Sequence, residues 1–238
     1  MTLKLSMIFG AFAFMSSNAN AQESEFQQPN VILILSDDQG TVDLGVCGTP
    51  DVVSPNLDAL AAQGVRFTQF YAASSICSPS RAALLTGRYP QRCGVTGNVS
   101  PSGSGLPLDE ITLAESFQAA GYHTGIVGKW HLGSKAKQGP LQQGFDRFFG
   151  HRQGCIDNWS HFFYWNGPNR HDLWRGDREH WEEGEHFGDL IVREASLFLR
   201  ECAGDLSKKE NGAVKEAKPF FLYLPFNSPH YPLQGKSK

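Results

Sequence analysis

Side chains able to do chemistry stand at three places in this sequence. The first is Cys77-Ser78-Pro79-Ser80-Arg81-Ala82-Ala83-Leu84-Leu85-Thr86-Gly87-Arg88, where a sulfur precedes a short helix. Ser78 reads as the cap and Pro79 as the first helical residue; Ala82 to Leu85 are good helix formers, and Gly87 permits the left-handed turn that ends a helix. Cys77 is then expected at the positive end of that helix. Unpaired N–H groups and a macrodipole worth ~0.3–1 kcal/mol to an exposed charge favour an anion there, and Arg81 adds a full positive charge one turn in. From residue type alone, Cys77 is either a nucleophilic thiol with a lowered pKa or a buried or disulfide-bonded cysteine. The second place is Asp37-Asp38, two adjacent carboxylates whose hard oxygens suit Ca²⁺ or Mg²⁺, although such a pair is also a common solvated turn. The third is Lys129-Trp130-His131. In an extended segment Lys129 and His131 share a face and Trp130 takes the other, so an amine and an imidazole can bind an anionic oxygen and move a proton together.

The elements that must position these groups are legible from pattern. Val31-Ile32-Leu33-Ile34-Leu35 is a continuous β-branched and Leu run, which predicts a strand buried on both faces of a parallel sheet. Asp37 and Asp38 follow it, at the carboxyl end where open α/β sheets place their ligands. Ser54-Pro55 opens a helix that Gly64 closes, and Val65 to Tyr71 reads as a strand feeding the Cys77 loop. Thr112 and Glu115 form a capping-box pattern before a helix to Ala120, stopped by Gly121. An extended segment from Tyr122 leads to Lys129 and His131. Residues 134 to 185 hold four of the five tryptophans without clear periodicity and read as long loops over the site, whose aromatic faces either suit a sugar or simply pack the loops. Phe187, Leu190, Ile191, Leu197, Phe198 and Cys202 fall on one stripe, predicting an amphipathic helix from His186 to Cys202. A polar stretch from Gly204 to Lys218 reads as an exposed excursion, and Phe220 to Leu224 as another buried strand.

Met1 to Ala21 has the form of a secretory signal: Lys4 supplies a positive start, Leu5 to Met15 is an apolar run too short to span a bilayer, and Ala19-Asn20-Ala21 is a small-residue cleavage site. Residues 22–238 are expected to form one domain that is exported to the periplasm or outside the cell. At 40% hydrophobic and 12% aromatic residues it can build a core. A formal net charge of -3 gives no footprint for nucleic acid or an anionic membrane, so any anion selectivity must be local. The five cysteines lack C-x-x-C spacing, which argues against a zinc or thioredoxin-like site. With Cys77 set aside, Cys47, Cys93, Cys155 and Cys202 allow three disulfide connectivities.

The stretch from Cys77 resembles the signature of the sulfatase family, Cys-x-Pro-Ser-Arg followed by Leu-Thr-Gly-Arg, at Cys77, Pro79, Ser80, Arg81, Leu85, Thr86, Gly87 and Arg88. Gly-Tyr-x-Thr-x-x-x-Gly-Lys-x-His-Leu, from Gly121 to Leu132, is similar to the second signature of that family. Pro29-Asn30-Val31 through Asp37-Asp38-Gln39-Gly40 resembles its opening metal-binding strand, and Asn227-Ser228-Pro229-His230-Tyr231-Pro232 the segment that carries a further histidine. Gly154 to His161 looks like a loop of the arylsulfatase and N-acetylgalactosamine-sulfatase branches. The resemblance implies an alkaline-phosphatase-like α/β fold with a mostly parallel central sheet flanked by helices. It also implies oxidation of Cys77 to formylglycine by a maturation enzyme, with Ca²⁺, or Mg²⁺, held by Asp37, Asp38 and the position-77 hydroxyl. Arg81 and Lys129 would stabilise developing charge, His230 would protonate the departing alcohol, and His131 would help expel sulfate. The implied substrate is an aryl or carbohydrate sulfate ester.

Two alternatives accompany that reading: a phosphate or phosphonate monoester hydrolase of the same superfamily, and a non-catalytic binder of sulfated glycans. Asp157-Asn158 is not taken as the family's Asp-Asn metal pair, because that pair follows the histidine matched by His230. The pair, a further lysine and a smaller C-terminal domain find no place before Lys238. The expectation is therefore an incomplete catalytic domain that binds metal poorly, leaves apolar sheet surface uncovered, tends to aggregate and has low or no activity alone.

Overall fold

A computed structural model describes residues 28–165, 168–204 and 218–236, and its framework is one six-stranded sheet. In chain order the principal elements are β1 (Val31–Asp37), α1 (Pro55–Gln63), α2 (Cys77–Thr86), α3 (Leu113–Ala119), β2 (His123–Lys129) and β3 (Arg147–His151), then the short strands β4 (Phe162–Phe163), β5 (Arg170–His171), β6 (Trp174–Arg175) and β7 (Arg178–Glu179), and finally α4 (Phe187–Cys202) and β8 (Phe220–Pro229). The sheet order is β1-β8-β2-β3-β6-β7, with β4 and β5 paired separately. The first four strands run parallel, Leu33 and Ile126 both lying beside Tyr223 and Val127 beside Phe149, while β6 and β7 add antiparallel at one edge. This is the α/β architecture with a mostly parallel sheet that the sequence predicts.

The alternation of β8 divides the core. Phe221 and Tyr223 pack on one face with Ala82 and Leu85 of α2, Phe145 and Phe148, whereas Leu222 and Leu224 face α4. On α4 the residues Phe187, Leu190, Ile191, Ala195 and Phe198 are buried at helical spacing, and the buried carboxylate of Glu194 is held by two Arg175 nitrogens at 2.5 and 2.8 Å. His186 caps the helix, its side chain accepting from Gly188 N. Both arms of the capping box at Thr112 and Glu115 are formed, and Thr112 Oγ1 also donates to Gln143 O at 2.8 Å, fastening α3 to the loop before β3.

Four local expectations are corrected. β1 is not buried on both faces: Ile32 and Ile34 are 46% and 53% exposed, while Val31, Leu33 and Leu35 pack on the core. β1 pairs only with β8 and forms the other edge of the described sheet, and none of the described helices covers its outer face. Val65 to Tyr71 forms no strand. Val65, Phe67, Phe70 and Tyr71 are all exposed and no described strand lies beside them, so β propensity has no ladder to join. Within 134 to 185 the loops do dominate, but Arg147–His151 is a buried parallel strand next to β2. Finally, α2 begins at Cys77 itself with Ile76 as the cap, two residues earlier than Pro79 predicts.

Cys47, Cys77, Cys93, Cys155 and Cys202 are all free. Among the described residues no helix is long and apolar enough to cross a membrane. The signal-like segment Met1 to Ala21 and most of the polar stretch after Gly204 lie outside the described residues.

Candidate active site

Three elements deliver charged or nucleophilic groups to one point at the carboxyl end of the sheet. β1 ends at Asp37, which is buried, and Asp38, which is exposed and turns the chain with φ +58°. β2 ends at Lys129, fully buried. α2 starts at Cys77. The Lys129 Nζ lies 2.5 Å from Asp37 Oδ2 and 3.4 Å from Cys77 Sγ, and the thiol lies 3.8 Å from Asp37 Oδ1. Arg81, one turn into α2 and buried, approaches Asp37 Oδ1 at 3.3 Å and donates to Lys129 O at 3.0 Å. A single carboxylate therefore joins the first strand, the second strand and the helix.

The backbone at this end is unusually close. Gly128 and Gly150 are neighbours across β2 and β3, with φ of +137° and +147°; a Cβ on the first would lie 2.0 Å from Pro225 O and on the second 1.9 Å from Gly128 O. Only glycine fits either position. Both precede site residues, Lys129 and His151, so the approach of the strands sets where the buried lysine emerges. Ser78 contributes a second tie: its Oγ donates to His131 O at 2.7 Å and accepts from Val99 N at 3.0 Å, binding α2 to the exit of β2 and to the loop at Val99. Ser78 is thus a buried strut inside the helix, not its cap.

The electrostatic result differs in origin from the sequence expectation. Ser78 N is taken by Asn98 Oδ1 at 3.1 Å and Pro79 has no N–H, so the free donors of the helix end are few. The positive character comes instead from Lys129 and Arg81, two buried cations facing one buried carboxylate. Burial pushes the Asp37 carboxyl up, but Lys129 and Arg81 outweigh it and hold the group below the usual range. Burial likewise pushes the Cys77 thiol up; hydrogen bonding to His230 and the charge of Lys129 more than reverse this, and the net shift is downward. His230 is raised, chiefly by that hydrogen bonding to Cys77 against the cost of burial. His131 falls to about 3 because it is buried and sits near Lys129 and Arg81, so its ring is neutral. His151, fully buried on β3 beside Lys129, is also held neutral by burial and by Lys129 and Arg81.

His131 reaches the site by a route that strand alternation does not describe. β2 stops at Lys129, and His131 adopts φ +54°, placing its ring against Gly154, where a Cβ would lie 2.6 Å from His131 Cε1. Trp130 is buried on its own side, with its indole N–H donating to Gln138 O at 3.0 Å. His230 follows the end of β8 and brings Nε2 to 3.6 Å from Asp38 Oδ2. The structure therefore brings Asp37, Cys77, Arg81, Lys129 and His230 together, puts His131 on the wall beside them, and leaves Asp38 at the solvent rim.

Asp37, Cys77 and His230 each offer one ligand atom within 4.8 Å of the others, so a metal ion could be held there. A hard cation such as Ca²⁺ takes ~6–8 oxygens, and Mg²⁺ demands an oxygen octahedron. The described residues supply the carboxylates of Asp37 and Asp38 together with a sulfur and an imidazole, and both Asp37 oxygens already face cations. This donor set does not by itself fit Ca²⁺ or Mg²⁺. Asp157 and Asn158 do not add to it: Asp157 Oδ1 accepts from Trp159 N and Ser160, its Oδ2 from Gln234, and Asn158 Oδ1 accepts from Asn227 Nδ2.

A cavity of about 680 Å³ opens over Cys77. His131, His230 and Asp38 surround its reactive end; Asn98 to Pro101 form one wall, and Gln153, Gly154, Cys155, Phe163, Trp165 and Tyr231 the other. The sequence places residues 134 to 185 in loops over the site, and Gln153, Gly154, Cys155, Phe163 and Trp165 of that stretch do line this wall. It is set by Asp172, a buried carboxylate that accepts from Gln153 N at 2.7 Å, Arg152 N at 3.3 Å and Trp174 Nε1 at 2.7 Å. The cluster of Gly, aromatic and polar residues in that region was its one sequence signal.

Residues 29–238 match the Sulfatase family. The chain is 52% identical to arylsulfatase A of Homo sapiens over 219 residues, covering 86% of this chain and 42% of that protein. It is 40% identical to arylsulfatase G of Canis lupus familiaris over 229 residues, covering 89% and 42%, and 40% identical to N-acetylgalactosamine-6-sulfatase of Homo sapiens over 224 residues, covering 87% and 40%. Among solved structures, Ps i-CgsB in complex with k-i-k-neocarrahexaose superposes with a TM-score of 0.76 at 35% identity, over 88% of this chain and 47% of that one. The chain thus spans less than half the length of these relatives.

Proposed function

The chain belongs to the sulfatase family, and from that premise we propose that it carries the nucleophile half of a sulfuric ester hydrolase acting on carbohydrate or aryl sulfates. One observation carries the reading: Cys77 lies 3.4 Å from a fully buried lysine, with a buried arginine sharing the same carboxylate, so an anionic group seated at residue 77 meets a preformed excess of positive charge. Oxidation of Cys77 to formylglycine by a maturation enzyme replaces the thiol with an aldehyde, whose hydrate supplies the attacking hydroxyl. The sulfur stands where those oxygens would be.

In this reading one hydrate hydroxyl, its proton lost to water beside Lys129, attacks sulfur as the oxyanion, forming a new O–S bond as the bond from sulfur to the alcohol oxygen breaks. Lys129 stabilises charge on the sulfuryl oxygens, and Arg81 fixes Asp37 and the end of β2 behind them. His230, whose pKa is raised, gives a proton to the departing alcohol. The second hydrate hydroxyl then loses its proton to water, the aldehyde reforms as the carbon–oxygen bond to the sulfate breaks, and sulfate leaves; to His131, whose ring is neutral, we assign a hydrogen bond that helps expel the sulfate. Asp37 acts here as the anion that orients Lys129 and Arg81. The family's calcium would supply further charge neutralisation, but the donors present do not by themselves fit it, and no step above depends on it. The amino-terminal segment, with its apolar run and Ala-Asn-Ala site, supports export of the chain.

The test is release of inorganic sulfate from 4-nitrophenyl sulfate by the longest available form of the protein, matured in the presence of a formylglycine-generating enzyme. Turnover should vanish in Cys77→Ala and should exceed turnover of 4-nitrophenyl phosphate. Activity that survives Cys77→Ala, or a preference for the phosphate, would contradict the proposal.

A further inference from the structure

Gln153 lies on the cavity wall and is 5% exposed. Its backbone is fixed on both sides, Gln153 N donating to Asp172 Oδ2 at 2.7 Å and Gln153 O lying 2.9 Å from His151 Nδ1. Its side-chain amide makes no hydrogen bond among the described residues, although it carries two donors and an acceptor. Because Gln153 lines the cavity, these groups are open to whatever enters it, and no protein partner competes for them. Along the same wall Phe163, Trp165 and Tyr231 present aromatic surface, Trp165 being 56% and Tyr231 65% exposed. Apolar ring faces beside one fixed, unpaired amide match a pyranose, which has C–H faces to stack and hydroxyls at its edge. An unsubstituted aryl ring can stack but gives the amide nothing to bond.

We infer that Gln153 is a specificity-determining residue that hydrogen-bonds a hydroxyl of the alcohol part of the substrate, and that the wall it shares with Trp165 and Tyr231 selects a sulfated sugar over a simple aryl sulfate. This rests on the sulfatase reading of the Cys77 pocket and narrows its substrate class. The cavity, at about 680 Å³, has room for a sugar ring as well as the sulfate.

The experiment is equilibrium binding, by isothermal titration, of D-galactose 6-sulfate, phenyl sulfate and inorganic sulfate to the chain produced without maturation enzyme, so that residue 77 remains a thiol and no turnover intervenes. Wild type should bind the sugar sulfate more tightly than phenyl sulfate. Gln153→Met, which keeps the length but removes the hydrogen bonds, should weaken the sugar sulfate about 10- to 100-fold and leave the other two within about 3-fold. Unchanged binding of inorganic sulfate establishes that the variant is folded. Equal loss for all three probes, an unmoved ratio, or no preference in the wild type overturns the inference while leaving the anion pocket intact. Failure of all three to bind overturns the pocket reading, and the inference with it.

Discussion

Replacing Lys129 with methionine tests the charge arrangement at the base of the site without relying on catalysis. Lys129 is fully buried and Asp37 is 5% exposed, and the two are 2.5 Å apart. Removing one member of a buried pair costs ~3–5 kcal/mol, because the other charge stays desolvated without its partner. Arg81 remains 3.3 Å from Asp37 Oδ1, so the low end, about 3 kcal/mol, is expected for Lys129→Met. With a urea m-value of ~1–3 kcal/mol/M, the unfolding midpoint falls by about 1–3 M. Asp37→Asn, by contrast, leaves two buried cations, Lys129 and Arg81, without their shared anion, and should cost more than Lys129→Met. The acid side provides a further check. Asp37 has a lowered folded pKa, so its contribution is present above the unfolded value of ~3.9 and is lost as pH falls through the folded value. That acid-side loss should shrink in Lys129→Met. Urea unfolding of the wild type and both variants from about pH 7 to about pH 3 measures all of this. A Lys129→Met loss below about 1 kcal/mol, or an Asp37→Asn loss smaller than that of Lys129→Met, would refute the argument.

Gly150→Ala should cost more than about 4 kcal/mol and deplete soluble protein, since the new Cβ would meet Gly128 O at 1.9 Å in a backbone with φ +147°; a melting temperature near wild type would contradict this. Thr112→Ala removes the N-cap and the bond to Gln143 O, with an expected loss of ~1–2 kcal/mol in denaturant unfolding. For Asp172, burial outweighs its three N–H donors and raises the carboxyl from 3.8 to about 6. The folded state then binds more protons than the unfolded one between these values, so stability falls as pH rises through that window. The stability of wild type relative to Asp172→Asn should accordingly drop by about 2–3 kcal/mol from pH ~4 to pH ~7, and a difference that stays flat would contradict it.

The parts of the fold that were legible are those fixed by local chemistry. The capping box at Thr112 and Glu115, the stripe on α4, the left-handed Gly87 and the buried run at Phe220 to Leu224 each state their structure within a few residues. What was missed depends on neighbours distant in sequence. A run such as Val31 to Leu35 reports hydrophobicity but not whether a helix covers both faces, and Ile32 and Ile34 turn out to be exposed. Val65 to Tyr71 has strand composition without a strand to pair with. Arg147–His151 has weak composition yet lies in the sheet because β2 and β6 flank it. The site divides in the same way. Asp37, Asp38, Cys77, Arg81, Lys129, His131 and His230 stand in recognisable spacings, and the structure determines how far each lies from the others. Gln153 and Asp172 have no motif. They acquire meaning only when the loop after β3 folds against β5 and β6, and the Ser78 that reads as a helix cap becomes a strut once His131 O and Val99 N arrive beside it.

The central claim, that residue 77 is the matured nucleophile of a sulfatase, is tested most directly by mass spectrometry of the peptide spanning Cys77 from protein produced with a formylglycine-generating enzyme. The account predicts the mass of an aldehyde or its hydrate at position 77, trapped as a hydrazone by a hydrazine reagent. An intact thiol at full occupancy in folded, co-expressed protein would contradict it.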